Sequence, residues 1–173
     1  SEGGFGQITS PSASPFEIHH ILCKMDEAVE HPVFGSLLVP EDPSDGPMPC
    51  VVAVHGSLNW RGHHHEHIVR WLDAGICVFR VHSFDSRSVY SVVEDQMQVT
   101  HAMMLADCYQ ALRMLSTHPS IDESRIGIAG WSLGGTVALY SAWEPIAESL
   151  APAGERFAAH LPFYPAAHMR TEV

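Results

Sequence analysis

The chain has 173 residues, 46% of them hydrophobic and only 17% charged. That suits one domain with a sizeable core and excludes a disordered or coiled-coil chain. A formal net charge of −11 opposes binding to nucleic-acid phosphates, and no run of about 18 apolar residues is present to form a transmembrane helix.

The start, Ser1-Glu2-Gly3-Gly4, carries no signal peptide, so the cytoplasm is the expected compartment. A terminus left by removal of an export signal is the alternative. Residues 1–15 are rich in Gly, Ser and Pro and are expected to form a loose arm, with the domain itself over 16–173. Phe16 to Cys23 reads as a first strand and Val33 to Val39 as a second, stopped by Pro40. Glu41 to Pro49 is a proline-rich turn. Cys50 to His55 is almost wholly apolar, as a strand covered on both faces should be. Gly62 to Ala74 is a predicted helix capped by Gly75, and Ile76 to Val81 is the next strand.

Val92 to Thr117 reads as a long amphipathic helix, with Val93, Met97, Met104, Leu105, Cys108, Leu112 and Leu115 on one face and Pro119 beyond its end. Asp122 and Arg125 mark a loop, Arg125 to Gly130 a short buried strand, Thr136 to Trp143 a helix, and Phe157 to Tyr164 a last strand. Strands alternating with helices predict an α/β fold with a mainly parallel sheet. The widely spaced cysteines Cys23, Cys50, Cys77 and Cys108 read as buried free thiols of a reducing compartment.

Gly130-Trp131-Ser132-Leu133-Gly134 stands between a predicted strand and a predicted helix. A Gly-x-Ser-x-Gly in that context places the serine on a sharp turn above a sheet, the arrangement of a nucleophile elbow. Ser132 is therefore the expected nucleophile. The N–H of Leu133, at a helix start, is an expected oxyanion donor. His55-Gly56-Ser57, after the central strand, is where a second donor belongs, and Ser57 N–H is the choice, with Leu58 next to it. His55 is expected to brace this loop rather than to act as the base.

These residues resemble the dienelactone hydrolase family of the α/β-hydrolase superfamily. The resemblance runs through Phe34–Pro40, Val51–Gly56, Arg80–Arg87, Asp107–Ala142 and Leu161–Pro165. It covers nearly the whole chain but only about the first two-thirds of the family's domain. It implies an α/β-hydrolase fold with flanking helices and its C-terminal strands absent. It also implies ester hydrolysis through an acyl-enzyme on Ser132, with no cofactor and a small-molecule ester as substrate. Two departures stand out. The founding dienelactone hydrolases carry a cysteine nucleophile where this chain has Ser132. They also place an arginine after the fourth strand to hold a substrate carboxylate, near the positions of His82 and Arg87 here. His82, Arg87 and Trp131 are the expected substrate-binding residues, and a plain carboxylic ester is favoured over a dienelactone.

In this superfamily an acid and then a histidine follow the serine in chain order. Pro165 to Val173 is too short for the strands that would carry them, and His168 and Glu172 stand in the wrong order. His160 reads as a sheet residue. Three readings stay open: the polypeptide continues, a separate C-terminal segment completes the fold, or the chain is a natural truncation. In the last two, the final strand is an exposed edge, and self-association or a complementing segment is expected there. A truncated form would be a weak, promiscuous esterase on small or activated esters. A catalytically inactive remnant serving as a binding or assembly module is the alternative.

The run His63-His64-His65-Glu66-His67 invites a metal. His63 and His67 stand one helical turn apart, but the pattern is not His-Glu-x-x-His and lacks a third ligand. A solvated helix start is favoured and no metal is expected.

Overall fold

A computed structural model describes residues 33–166 and, by backbone alone, residues 18–23. The expected N-terminal arm, His168 and Glu172 lie outside these residues. Six strands form one sheet: β1 (Ile18–Cys23), β2 (Val33–Leu38), β3 (Met48–Val54), β4 (Cys77–Val81), β5 (Ile121–Trp131) and β6 (Ala159–Phe163). Their spatial order is β1-β2-β4-β3-β5-β6. The two first pairings, β1 with β2 and β2 with β4, are antiparallel. The remaining three, β4–β3, β3–β5 and β5–β6, are parallel.

Side chains on successive strand residues point to opposite faces. Cys50, Val52 and Val54 of β3, Phe79 and Val81 of β4, and Ile126 and Ile128 of β5 therefore share one face with a single large core. The helices α2 (His101–Ser116) and α3 (Leu133–Tyr140) cover that face, supplying Met104, Cys108, Leu112, Leu115 and Val137. Ala53, Val78, Leu38 and Trp131 point the other way, against Ile68 of α1 (Gly62–Asp73). Each fully buried aliphatic or aromatic side chain contributes roughly 1.5–3 kcal/mol. Cys50, Cys77 and Cys108 are buried free thiols, as expected.

The expected helix from Val92 begins only at His101. Its first residues have spent their backbone elsewhere: Val92 N–H donates to the Ser57 carbonyl (3.1 Å) and Met97 N–H to Asp95 Oδ1 (3.0 Å). The Thr100 side chain then caps the helix by accepting from Met103 N–H. Val93 and Met97 are consequently 56% and 78% exposed rather than on the buried face. The helix after the serine also differs from expectation, running over Leu133–Tyr140, and a short helix α4 (Glu144–Leu150) follows it. Asp122 and Arg125 sit where β5 slips register against β3, between Ile121 and Ile126, so the expected loop is an irregularity within one long strand.

Candidate active site

Strand β5 becomes helix α3 through the single residue Ser132. Its backbone stands at φ 54°, ψ −112°, a strained conformation for a residue with a side chain, which costs about 1–3 kcal/mol. The surroundings hold it there. Ser132 N–H donates to the Phe163 carbonyl at the end of β6 (3.0 Å), and its own carbonyl accepts from Thr136 N–H (2.9 Å). Three glycines permit the tight passage. A Cβ on Gly130 would overlap the Gly134 carbonyl, one on Gly134 the Val54 carbonyl, and one on Gly135 the Phe163 carbonyl. Ser132 is thereby lifted into solvent while its neighbours Trp131 and Leu133 are buried. Leu133 N–H is the first of α3, at the helix's positive end and among the donors a helix leaves without an internal partner.

The loop after β3 lies against this crest. A Cβ on Gly56 would stand 3.2 Å from the Trp131 carbonyl and 3.6 Å from Ser132 Cβ. Gly56 to Asn59 is a tight turn closed by Asn59 N–H on the Gly56 carbonyl (3.0 Å), with Asn59 at φ 65°. The same carbonyl accepts from His55 Nδ1 (2.9 Å). In a trans peptide the C=O and N–H point in opposite directions. Fixing the Gly56 carbonyl from two sides therefore fixes the direction of Ser57 N–H. The Ser57 carbonyl is tied in turn by Val92 N–H (3.1 Å) and Ser91 Oγ (3.2 Å).

His55 is fully buried, its ring against Phe84 (4.3 Å between centroids) and Trp60 (5.5 Å). Burial pushes its pKa down to about 4, so the ring is neutral at pH 7 and its Nδ1 serves the Gly56 carbonyl. Ser132 has no hydrogen bond to a histidine or carboxylate among the described residues.

The expected substrate-binding residues take three different places. His82 is buried beside Phe34, with Nε2 3.2 Å from Ser36 Oγ and Nδ1 3.5 Å from Asp85 Oδ2. It also lines a cavity of about 190 Å³ with Leu58, Asn59, Trp60, Arg80 and Asp85, next to the Gly56–Asn59 turn. Arg87 grips Asp107 of α2 through two bonds (2.8 and 3.0 Å) and the Ser83 carbonyl through a third (2.9 Å), bracing the loop after β4. Trp131 is 1% exposed. It stacks on Phe163 (5.4 Å, 9° between planes) under α1, where it packs rather than faces solvent. Leu133 and the Gly56–Asn59 turn thus lie beside Ser132, while His82 faces a cavity next to that turn and Arg87 and Trp131 pack within the scaffold.

Sequence reasoning passed over Arg80. It is 5% exposed within β4, its guanidinium 4.2 Å above the Trp60 ring, and burial pushes its pKa down to about 10. The signal was present: one arginine interrupts the apolar run Ile76 to Val81. The histidine run is dispersed by the helix. His64 turns inward and accepts from Arg61 N–H (2.9 Å), and its pKa is pushed down to about 3, by burial first. His67 packs against both Trp131 and Phe163, and His63 meets the Tyr164 hydroxyl (3.1 Å). Among the described residues no three side chains are grouped to hold a metal ion. No described helix is long and apolar enough to cross a membrane.

The sequence pattern of the acetyl xylan esterase family matches residues 88–166. No curated protein matches the chain. Among solved structures, a putative dienelactone hydrolase from Klebsiella pneumoniae aligns with TM-score 0.56 and 20% identity, over 75% of this chain and 56% of its own. A dienelactone hydrolase from Anabaena variabilis aligns with TM-score 0.57 and 17% identity, over 73% and 57%. Esterase 2 of Thermogutta terrifontis, in a form phosphorylated by paraoxon, aligns with TM-score 0.53 and 15% identity, over 77% and 50%. This chain spans about half the length of these structures. The strand order, the turn at Ser132 and these likenesses agree on the architecture: the chain has the α/β-hydrolase fold, a mostly parallel sheet with flanking helices, like these dienelactone hydrolases and this esterase.

Proposed function

We propose that the chain is the nucleophile-bearing part of a serine carboxylic-ester hydrolase acting on small or activated esters. The observation that carries this reading is Ser132, exposed at φ 54° between β5 and α3, with the Gly56–Asn59 turn against it. Ser132 Oγ attacks the ester carbonyl and gives up its proton to a base. The carbonyl oxygen, now an anion, is received by the N–H groups of Leu133 and Ser57. The tetrahedral intermediate collapses, the alcohol leaves with the proton, and the acyl group stays on Ser132 until water releases the acid. Each such donor is worth roughly a hundredfold to a thousandfold in rate. The base and its acid are assigned to chain outside the described residues, either its own or that of a second copy paired along the outer edge of β6.

A fluorophosphonate probe with p-nitrophenyl acetate hydrolysis tests the reading. Labelling and turnover are expected, both lost in Ser132→Ala. An unlabelled, inactive chain would favour the inactive binding module instead. Activity that survives Ser132→Ala would point away from the serine altogether.

A further inference from the structure

The Gly56–Asn59 turn closes only because Asn59 adopts a left-handed backbone, at φ 65°. That region disfavours any residue with a Cβ, and asparagine tolerates it best when its side chain is tied locally. Both ends of the Asn59 amide are tied. Its Oδ1 accepts from Trp60 N–H (2.8 Å), and its Nδ2 donates to Asp85 Oδ1 (2.7 Å), 26 residues further along the chain. Asp85 is itself anchored, with Oδ2 3.5 Å from Nδ1 of the buried His82, whose Nε2 meets Ser36 Oγ of β2 (3.2 Å). The His82 ring holds the Asp85 carboxyl below its ordinary range, which keeps it an acceptor at neutral pH. A polar chain thus runs from β2 through the loop after β4 to the turn beside Ser132.

Resting on the nucleophile reading above, we infer that Asp85 is a positioning residue for the oxyanion hole. By holding Asn59 left-handed it keeps Asn59 N–H on the Gly56 carbonyl, and so keeps Ser57 N–H aimed at the serine. Without that hold, the Gly56–Ser57 peptide retains only His55 on its carbonyl and is free to rotate its N–H away. Asp85 acts through Asn59 and touches no reacting atom. Its loss lowers the chemical rate and leaves substrate binding nearly unchanged.

The test compares Asp85→Ala, Asp85→Asn, Asn59→Gly and the double variant Asn59→Gly/Asp85→Ala, by rate of fluorophosphonate labelling and by kcat and KM on p-nitrophenyl acetate. Asp85→Ala is expected to slow labelling and kcat about tenfold with KM little changed, and Asp85→Asn, which keeps an acceptor oxygen, to recover most of the loss. Glycine takes a positive φ without help. In the Asn59→Gly background, removing Asp85 is therefore expected to cost less than twofold. An equal cost in both backgrounds, or a loss expressed in KM, would show Asp85 acting on substrate and overturn the inference. Wild-type rates in Asp85→Ala would do the same while leaving Ser132 as nucleophile. Amide hydrogen exchange at residue 59 reads the turn whether or not the serine reacts. It should quicken about tenfold in Asp85→Ala, and unchanged protection would refute the tie even if labelling failed throughout.

Discussion

His55 makes stability depend on pH in a way that can be worked out beforehand. Its folded pKa is about 4 against an unfolded value of 6.5, because burial disfavours the imidazolium. The unfolded chain therefore binds more protons than the folded one between these values. His55's contribution is fully present above pH 6.5 and is lost progressively as pH falls toward 4. Between pH 8 and pH 5 the linkage amounts to about 2 kcal/mol, a fall of roughly thirtyfold in the folded-to-unfolded ratio. Protonation also charges a ring packed on Phe84 and Trp60, loosening the loop that carries Ser57. Urea unfolding followed by the fluorescence of the four tryptophans at the two pH values measures the loss. His55→Asn removes the titrating group, so this variant should lose about 2 kcal/mol less than the wild type over the same interval. The other histidines with lowered values, His64, His101 and His160, act in both proteins and cancel in the comparison. Equal losses in wild type and variant would refute the attribution of this pH dependence to His55.

Two further outcomes follow from the scaffold. Ser132→Gly should abolish labelling yet raise unfolding free energy by about 1 kcal/mol, because glycine relieves the strained backbone at φ 54°; a loss of stability in thermal or urea unfolding would contradict the strain argument. Arg87→Ala leaves the fully buried Asp107 carboxylate without the guanidinium that grips it, and should cost about 3–5 kcal/mol in urea unfolding, far more than an exposed pair would.

The sharp strand-to-helix turn at Ser132 and the turn after β3 were legible in the sequence for a local reason. Gly130, Ser132 and Gly134 act through backbone geometry within five residues, and His55-Gly56 ends an apolar strand, so neither needs a distant partner to be recognised. The parallel sheet was legible too, because Cys50 to Val54 and Ile126 to Ala129 have no polar face to offer water. What the linear pattern could not settle was where individual polar and aromatic side chains point once the strands are in register. Trp131, next to the serine in sequence, is one strand position away and so faces the opposite layer, under α1. Arg87 is committed to Asp107, 20 residues on, and Asn59 to Asp85, 26 residues on. The start of α2 lies nine residues beyond the start of the amphipathic pattern because the N–H of Val92 is taken by Ser57, a contact between segments 35 apart in number that no helical periodicity encodes. The sequence by itself determined the strands, the sharp turn at Ser132 and the glycine turn that lies against it. Only the tertiary structure decided which charged groups brace that turn, because hydrogen bonds between distant loops depend on the packing that brings them together.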